Sequence, residues 1–415
     1  MRLGFVGRCI VLAMAVGGFA VRAEGQATNW VGSWATSQQR PEPQNSLAPE
    51  DMHDATLRQV VHLSVGGSQL RVHLTNAFGT APLRISAAHI ARPVSAASGS
   101  IEVATDVALT FGGSAAVTIP AGAEYVSDPV AFSAAALSDL AISIHVDEPP
   151  VVETGHPGSR ATSYVVHGDL VSAANLEGAK KVEHWYQIGS VDVATSAQAA
   201  AVVTLGDSIT DGHGATTNGN DRWPDVLARR LQATPAMKTV SVLNHGIGGN
   251  RLLLDGLGPN ALARFDRDVV AQTGVRYVIV FEGVNDLGTL TRDAPASAAE
   301  HKALVDHIES AYEQMIVRAH AHGIRVIGAT ITPYGGSDYY HPGPESEADR
   351  QAINAWIRDP KHFDAVVDFD KVVRDPARPD RLNPAFDSGD HLHPSAVGYK
   401  VMGEAIPLTL FSSGR

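Results

Sequence analysis

Four short polar clusters in the second half of the chain hold residue types suited to nucleophilic chemistry: Gly206-Asp207-Ser208, Gly246-Ile247-Gly248-Gly249-Asn250, Gly283-Val284-Asn285-Asp286 and Asp390-His391-Leu392-His393. A serine hydroxyl is a weak nucleophile until a base takes its proton and a third group orients that base. Asp390 and His393 supply both from one segment: His393 takes the Ser208 proton and returns it to the leaving group, while Asp390 holds the imidazole tautomer. His391 competes as the base, but it directly follows Asp390, so a facing hydrogen bond between the two is harder to make. A tetrahedral intermediate also needs donors aimed at its oxyanion, each worth ~3 kcal/mol. The candidates are the Ser208 N–H, the Gly249 N–H and the Asn285 side-chain amide, and the residues alone do not choose between Gly249 and the adjacent Gly248. Read singly, Ser208 is an ordinary helix N-cap and Asn285 an ordinary loop cap. Asp207 and Asp286 are expected to bond loop amides around the site. Arg251, Tyr334, Tyr339, Tyr340 and His341 sit on loops that would rim a pocket.

The elements that must position these clusters follow one pattern. Ala201 to Leu205 is an apolar run that stops at Gly206, as a strand buried on both faces of a parallel sheet does. Val240–Leu243, Val275–Phe281, Arg325–Ile331 and Ala365–Phe369 repeat it. Helical stretches lie between: Pro224–Leu231, a long one from Ala298 to about His322 with a Ser297/Glu300 capping box, Glu345–Arg358, and Ser395–Ile406. Alternating strands and helices with short links give a parallel sheet covered on both faces. Each polar cluster then lies at the carboxyl end of its strand or beyond it, on the rim where open α/β sheets bind ligands.

The first half has a different period. Val61, Leu63 and Val65 alternate with polar residues, Gly66-Gly67 interrupts, and Leu70, Val72 and Leu74 alternate again, which reads as a half-buried hairpin. Leu83–Ile85, Val103–Leu109, Val117–Ile119 and Leu140–Val146 continue the series, so a β-sandwich of jelly-roll type is expected. His62, His73, His89 and His145 fall mostly on the polar phase and are expected to be solvent-facing or locally hydrogen-bonded. The resulting division is a sandwich over 28–193, a linker of small and polar residues over 194–200, and the α/β domain over 201–415.

Residues 1–23 read as a signal peptide: arginines first, then an apolar stretch, then small residues at Val21 and Ala23. The stretch is too short to remain as a membrane span. The sole cysteine, Cys9, lies within it, so the mature chain would have no disulfide, and a secreted or periplasmic location is expected. Acidic residues outnumber basic ones by 44 to 32, which argues against nucleic acid or an anionic membrane surface as a partner. There is no HExxH and no cysteine ligand, so no metal and no cofactor is expected.

Together the four clusters resemble the four blocks of the SGNH, or GDSL-type, hydrolases, in the correct order and over the second domain. The resemblance implies a flavodoxin-like three-layer α/β/α hydrolase domain with the N-terminal sandwich as an accessory domain. It also implies Ser208 as nucleophile, His393 as base, Asp390 as its partner, and Ser208, Gly249 and Asn285 as the oxyanion hole. The leucine usual after the serine is Ile209 here. The function implied is a secreted serine esterase cleaving carboxylic esters through an acyl-enzyme, with short acyl groups such as acetyl on a small-molecule or polysaccharide substrate. The alternatives are a lipase or arylesterase acting on lipid or aryl esters, or a carbohydrate-binding protein without activity.

Overall fold

In a computed structural model of the protein, residues 29–195 and 198–412 are described, together with Met1 and Gly4. The expected signal peptide over 1–23, Cys9 included, otherwise lies outside the described residues, as do Ser196 and Ala197.

The second half is built on a five-stranded parallel sheet in which Val240–Gly246 and Val275–Phe281 flank Ala200–Gly206, followed by Arg325–Ala329 and Ala365–Val367. The central strand is apolar throughout because both of its faces are covered, and Ala201, Val202, Val203 and Leu205 are fully buried. With the first two strands in sequence exchanged in space, the topological switch falls beside the end of Ala200–Gly206, where a ligand crevice is expected. Helices Trp223–Ala233, Ala298–Ala321, Pro344–Arg358 and Ala396–Ala405 cover the sheet. The long one starts where its capping box requires, with the Ser297 N–H donating to Glu300 at 2.7 Å.

The first half is a sandwich of two antiparallel sheets. One is ordered Lys180–Val182, Ser163–His167, Ala55–Leu63, Ser138–Val146, Leu83–Ala91, Val107–Ala108, with Val117–Ile119 also on Leu83–Ala91. The other is ordered Asn29–Ala35, Ile188–Thr195, Gly67–Thr75, Glu124–Val126, with Val130–Ala134 also on Gly67–Thr75. The hairpin expected over Val61–Leu74 does not form: Ala55–Leu63 and Gly67–Thr75 belong to opposite sheets. Alternation reports that one face of each strand is buried, and both faces here bury against the same core from opposite sides. The expected strand over Val103–Leu109 is a short turn at Val103–Thr105 and a two-residue strand at Val107–Ala108.

The four histidines read from sequence each meet a carboxylate. His62 lies 2.7 Å from Asp139, His73 2.8 Å from Glu124 and 3.0 Å from Asp192, His89 2.8 Å from Asp106, and His145 3.1 Å from Asp54. Apolar residues of both halves merge in one buried cluster, in which Val31 of the sandwich joins Leu243 and Val269 of the α/β domain. Among the described residues no helix is long and apolar enough to cross a membrane.

Candidate active site

Ser208 is the first residue of a one-turn helix, Ser208–Asp211, that follows the central strand directly. Asp207 caps that helix, its carboxylate accepting the Ile209 N–H at 2.9 Å. The Ser208 N–H, at the start of the helix, has no acceptor within it. Ser208 Oγ lies 2.8 Å from His393 Nε2, and His393 Nδ1 lies 2.6 Å from Asp390 Oδ2. The loop before Pro394 turns so that Asp390 Oδ1 accepts the N–H groups of His393 and Leu392 at 2.8 and 3.0 Å and the Ser388 hydroxyl at 3.0 Å. Partial burial disfavours the Asp390 charge, but the His393 ring and backbone donors override it and hold this carboxyl below the usual range. His391 is turned away: its backbone is left-handed, with φ of 61°, and its ring lies 2.6 Å from Asp387.

Gly249 and Gly248 are distinguished by backbone geometry. Gly249 has φ of +72° and a side chain there would collide with Leu257, whereas a Cβ at Gly248 would meet nothing closer than 3.7 Å. Asn285 lies in the first turn of Val284–Thr291, with its amide oriented from both ends. Nδ2 donates to the Asn250 carbonyl at 2.7 Å and Oδ1 accepts the Tyr340 hydroxyl at 2.7 Å. Ser208, His393, Gly248, Gly249 and Asn285 face one cleft of 1240 Å³. Asp286 accepts the Leu252 and Leu253 N–H groups at 2.8 and 3.1 Å. Of the loop residues expected at the rim, Arg251, Tyr339 and Tyr340 line the cleft, while Tyr334 is buried beneath Tyr340 and His341 lies outside it.

Behind the serine lies a buried charge cluster that the sequence did not single out. The Arg264 guanidinium donates to the Gly206 carbonyl at 3.0 Å, the Asn250 side chain at 2.9 Å and the Ser37 hydroxyl of the sandwich at 2.8 Å. It also pairs with Asp268 at 3.0 Å and Glu282 at 3.2 Å. Burial, then the neighbouring Asp207 charge, pushes the Glu282 carboxyl well above its usual range; burial does the same to Asp207. The sandwich also forms one wall of the cleft through Gln39, Glu42, Asn45, Arg160, Glu183 and His184. His213, another residue not singled out, lies over the His393 ring, with 4.0 Å between ring centroids. Its position five residues after Ser208 was the one available signal.

Among the described residues one group has metal-ligating atoms within 4.8 Å of one another, namely His213, Asp390 and His393. Both ring nitrogens of His393 already face partners, Ser208 and Asp390, so a cation would have to displace those contacts.

A hydroxyl, an imidazole and a carboxylate in series, beside a left-handed glycine and a clamped asparagine at the switch point of a parallel sheet, are equipped for acyl transfer to water. Residues 204–401 match the model of the GDSL-like lipase/acylhydrolase family. Over that domain the chain is an SGNH, or GDSL-type, hydrolase, and the protein is a carboxylic ester hydrolase. Similar solved structures include a protein of the G-D-S-L family from Desulfitobacterium hafniense, with 26% identity, 50% of this chain and 97% of that one covered, and a TM-score of 0.37. A GDSL-like lipase from Bacteroides thetaiotaomicron has 21% identity, with 50% and 88% covered and a TM-score of 0.37. An acetylxylan esterase from Geobacillus stearothermophilus has 21% identity, with 50% and 93% covered and a TM-score of 0.37. No curated protein matches the chain.

Proposed function

We propose that the protein is an exported serine esterase that removes short acyl groups, acetyl above all, from carbohydrate. Ser208 Oγ attacks the ester carbonyl carbon as its proton passes to His393 Nε2. The oxyanion is held by the Ser208 and Gly249 N–H groups and the Asn285 amide. The carbon–oxygen bond to the alcohol breaks, that oxygen takes the proton from His393, and an acyl-Ser208 remains. Water, deprotonated by His393, attacks the same carbon, the bond from that carbon to Ser208 Oγ breaks, and Oγ takes the proton back from His393 as the free acid leaves. Asp390 keeps the imidazole oriented throughout. The observation that carries this reading is the unbroken run of contacts, 2.8 Å and then 2.6 Å, from Ser208 through His393 to Asp390.

A polar alcohol half, such as a sugar, is favoured by the charged groups that line the cleft. Arg160, Glu183, His184, Arg251, Arg292 and Asp338 are polar or charged, and the leucines among the described lining residues are Leu257 and Leu392. A polar alcohol would find many hydrogen-bond and ionic partners there. Export is supported by the arginine-led apolar segment over 1–23, with the sandwich over 28–193 and the hydrolase domain over 201–415 as the mature parts. One observation favours hydrolysis of lipid or aryl esters instead: Leu257, which packs against Gly249 in the cleft, is 41% exposed.

A panel of p-nitrophenyl acetate, octanoate and palmitate with acetylated xylan separates the two. The acetyl substrates should be turned over fastest, and a rate rising with chain length would overturn the short-acyl reading. Ser208→Ala and His393→Ala should each lower kcat at least ~10³-fold, and EDTA should leave the rate unchanged. Turnover surviving Ser208→Ala, or lost with EDTA and restored by zinc, would overturn the serine mechanism.

A further inference from the structure

The hydrogen-bonded pair at the centre of the site is poorly protected by burial, because the Asp390 side chain is 43% exposed. Against the His393 ring lies that of His213, itself 51% exposed and tilted 38° to it. The His213 backbone is pinned on both sides. Its N–H donates to the Ser208 carbonyl at 2.9 Å, and its own carbonyl accepts the Tyr399 hydroxyl at 2.6 Å. Gly212 makes this possible: at φ of 100° it ends the Ser208 helix in a left-handed turn that throws the next residue back over the serine.

The ring is held from the other half of the molecule. Arg160 Nη2 lies 3.3 Å from His213 Nδ1. A guanidinium can only donate, so Nδ1 accepts and the ring proton sits on Nε2, which is 4.0 Å from Asp390 Oδ2. Burial first, then the nearby His393 and Arg160, pull His213 down to about 4, against the opposite pull of Asp390 and Asp211. The ring is therefore neutral where ester hydrolysis is expected to run. Arg160 itself occupies a left-handed backbone conformation, with φ of 49°, unusual for a residue with a long side chain. That conformation is clasped by the α/β domain, where the Asn218 N–H donates to the Arg160 carbonyl at 2.8 Å and the Asn218 side chain takes the Thr162 N–H at 2.8 Å.

We propose that Arg160 and His213 are positioning residues for ester hydrolysis. The sandwich, through Arg160, holds the His213 ring against His393 and so keeps the imidazole aligned between Ser208 and Asp390. The proposal rests on the reading of Ser208, His393 and Asp390 as the catalytic triad. On this view the sandwich completes the catalytic geometry, beyond forming a wall of the cleft.

The test uses the full-length enzyme and p-nitrophenyl acetate, a substrate too small to need the sandwich wall for binding. His213→Ala should lower kcat ~10- to 100-fold with KM little changed, as loss of alignment without loss of binding does. His213→Phe, which keeps a flat ring but gives Arg160 nothing to hold, should recover that loss only to the level of Arg160→Ala. Arg160→Ala should lower kcat in the wild-type background and have almost no further effect when added to His213→Phe, because its only route to His393 is then gone. The proposal is overturned if His213→Ala keeps kcat within about twofold of wild type, or if Arg160→Ala costs the same factor in both backgrounds. Should His213→Ala fail to fold, the cycle between Arg160→Ala and His213→Phe decides alone. Ser208→Ala and His393→Ala run in parallel: if they retain turnover the triad reading fails, whereas if they abolish it and the Arg160 and His213 variants do not matter, only the positioning role fails.

Discussion

Asp390 keeps its charge through hydrogen bonds that outweigh its partial burial, and that decides what its removal does. Its Oδ2 takes the His393 ring and its Oδ1 takes two backbone N–H groups. Asp390→Asn retains an acceptor for the loop but cannot both accept from the ring and serve the backbone, so the imidazole loses its tautomer. We expect kcat with p-nitrophenyl acetate to fall ~10³- to 10⁴-fold, with the fold intact by circular dichroism; a loss below tenfold would show that Asp390 does not orient the base. The same hydrogen bonds keep Asp390 itself out of the acid limb of the pH profile. With the Asp390 carboxyl held below its usual range, it stays ionised as the solution is acidified. Activity should therefore fall with decreasing pH along a single-proton slope, and a two-proton slope in kcat/KM would contradict this. The contact of Ser208, His393 and Asp390 is legible in the sequence because a nucleophile, a base and an orienter must be particular residue types, and short motifs hold these three. Arg160 and His213 are not, because nothing in their type marks them and the folded contact between the two domains alone brings them together.

Strands and helices are legible to the extent that burial alone determines them. A strand covered on both faces reads as an apolar run, so Val275–Phe281 matches its expected bounds. A strand covered on one face reads as an alternation, which tells which residues point inward but not to which sheet the strand belongs. The absent hairpin at Val61–Leu74 is that ambiguity made visible. Polar side chains that join elements are less legible still, and Arg264 is the strongest case: from helix Ala261–Phe265 it reaches the end of the central strand at Gly206, the loop at Asn250 and the sandwich at Ser37. Arg264→Met would fill similar space while leaving Asp268 and Glu282 without this partner. Glu282, pushed up by burial, can take a proton; Asp268 cannot so easily, since burial is outweighed there by Arg267 and Arg264, which hold it below the usual carboxylate range. The main cost is therefore the loss of one of the two arginines that compensate the buried Asp268 charge, and the expected destabilisation is ~3–5 kcal/mol. It should be read as a lower urea midpoint at unchanged m-value, and a change under about 1 kcal/mol would show that Arg267 alone suffices.

Across the whole molecule, the two halves are tied by buried polar contacts as well as by the shared core, and one of them carries a pH dependence. Asp192, on the sandwich strand Ile188–Thr195, accepts from Arg71 at 2.8 Å within its own sheet and from the Thr273 hydroxyl of the α/β domain at 2.9 Å. His73 Nε2 lies 3.0 Å from the same carboxylate. Burial opposes the charge on His73, but its hydrogen bonds to Asp192 and Glu124 prevail and raise it to about 9. A histidine whose folded-state value is raised stabilises the fold in full below its unfolded value of ~6.5 and loses that contribution as pH climbs through the folded value. The window is thus pH 6.5 to about 9, and a shift of this size corresponds to about 3 kcal/mol at its limit. The melting temperature of the wild type should fall across that window, and His73→Gln, which keeps a donor for Asp192 but cannot titrate, should flatten the dependence while lowering stability at pH 6. Because Asp192 also holds Thr273, the loss should loosen the contact between the halves, and amide exchange should rise along both Ile188–Thr195 and the segment around Thr273. A wild-type melting temperature that does not change between pH 6.5 and 9 would show that His73 carries no charge in the folded protein.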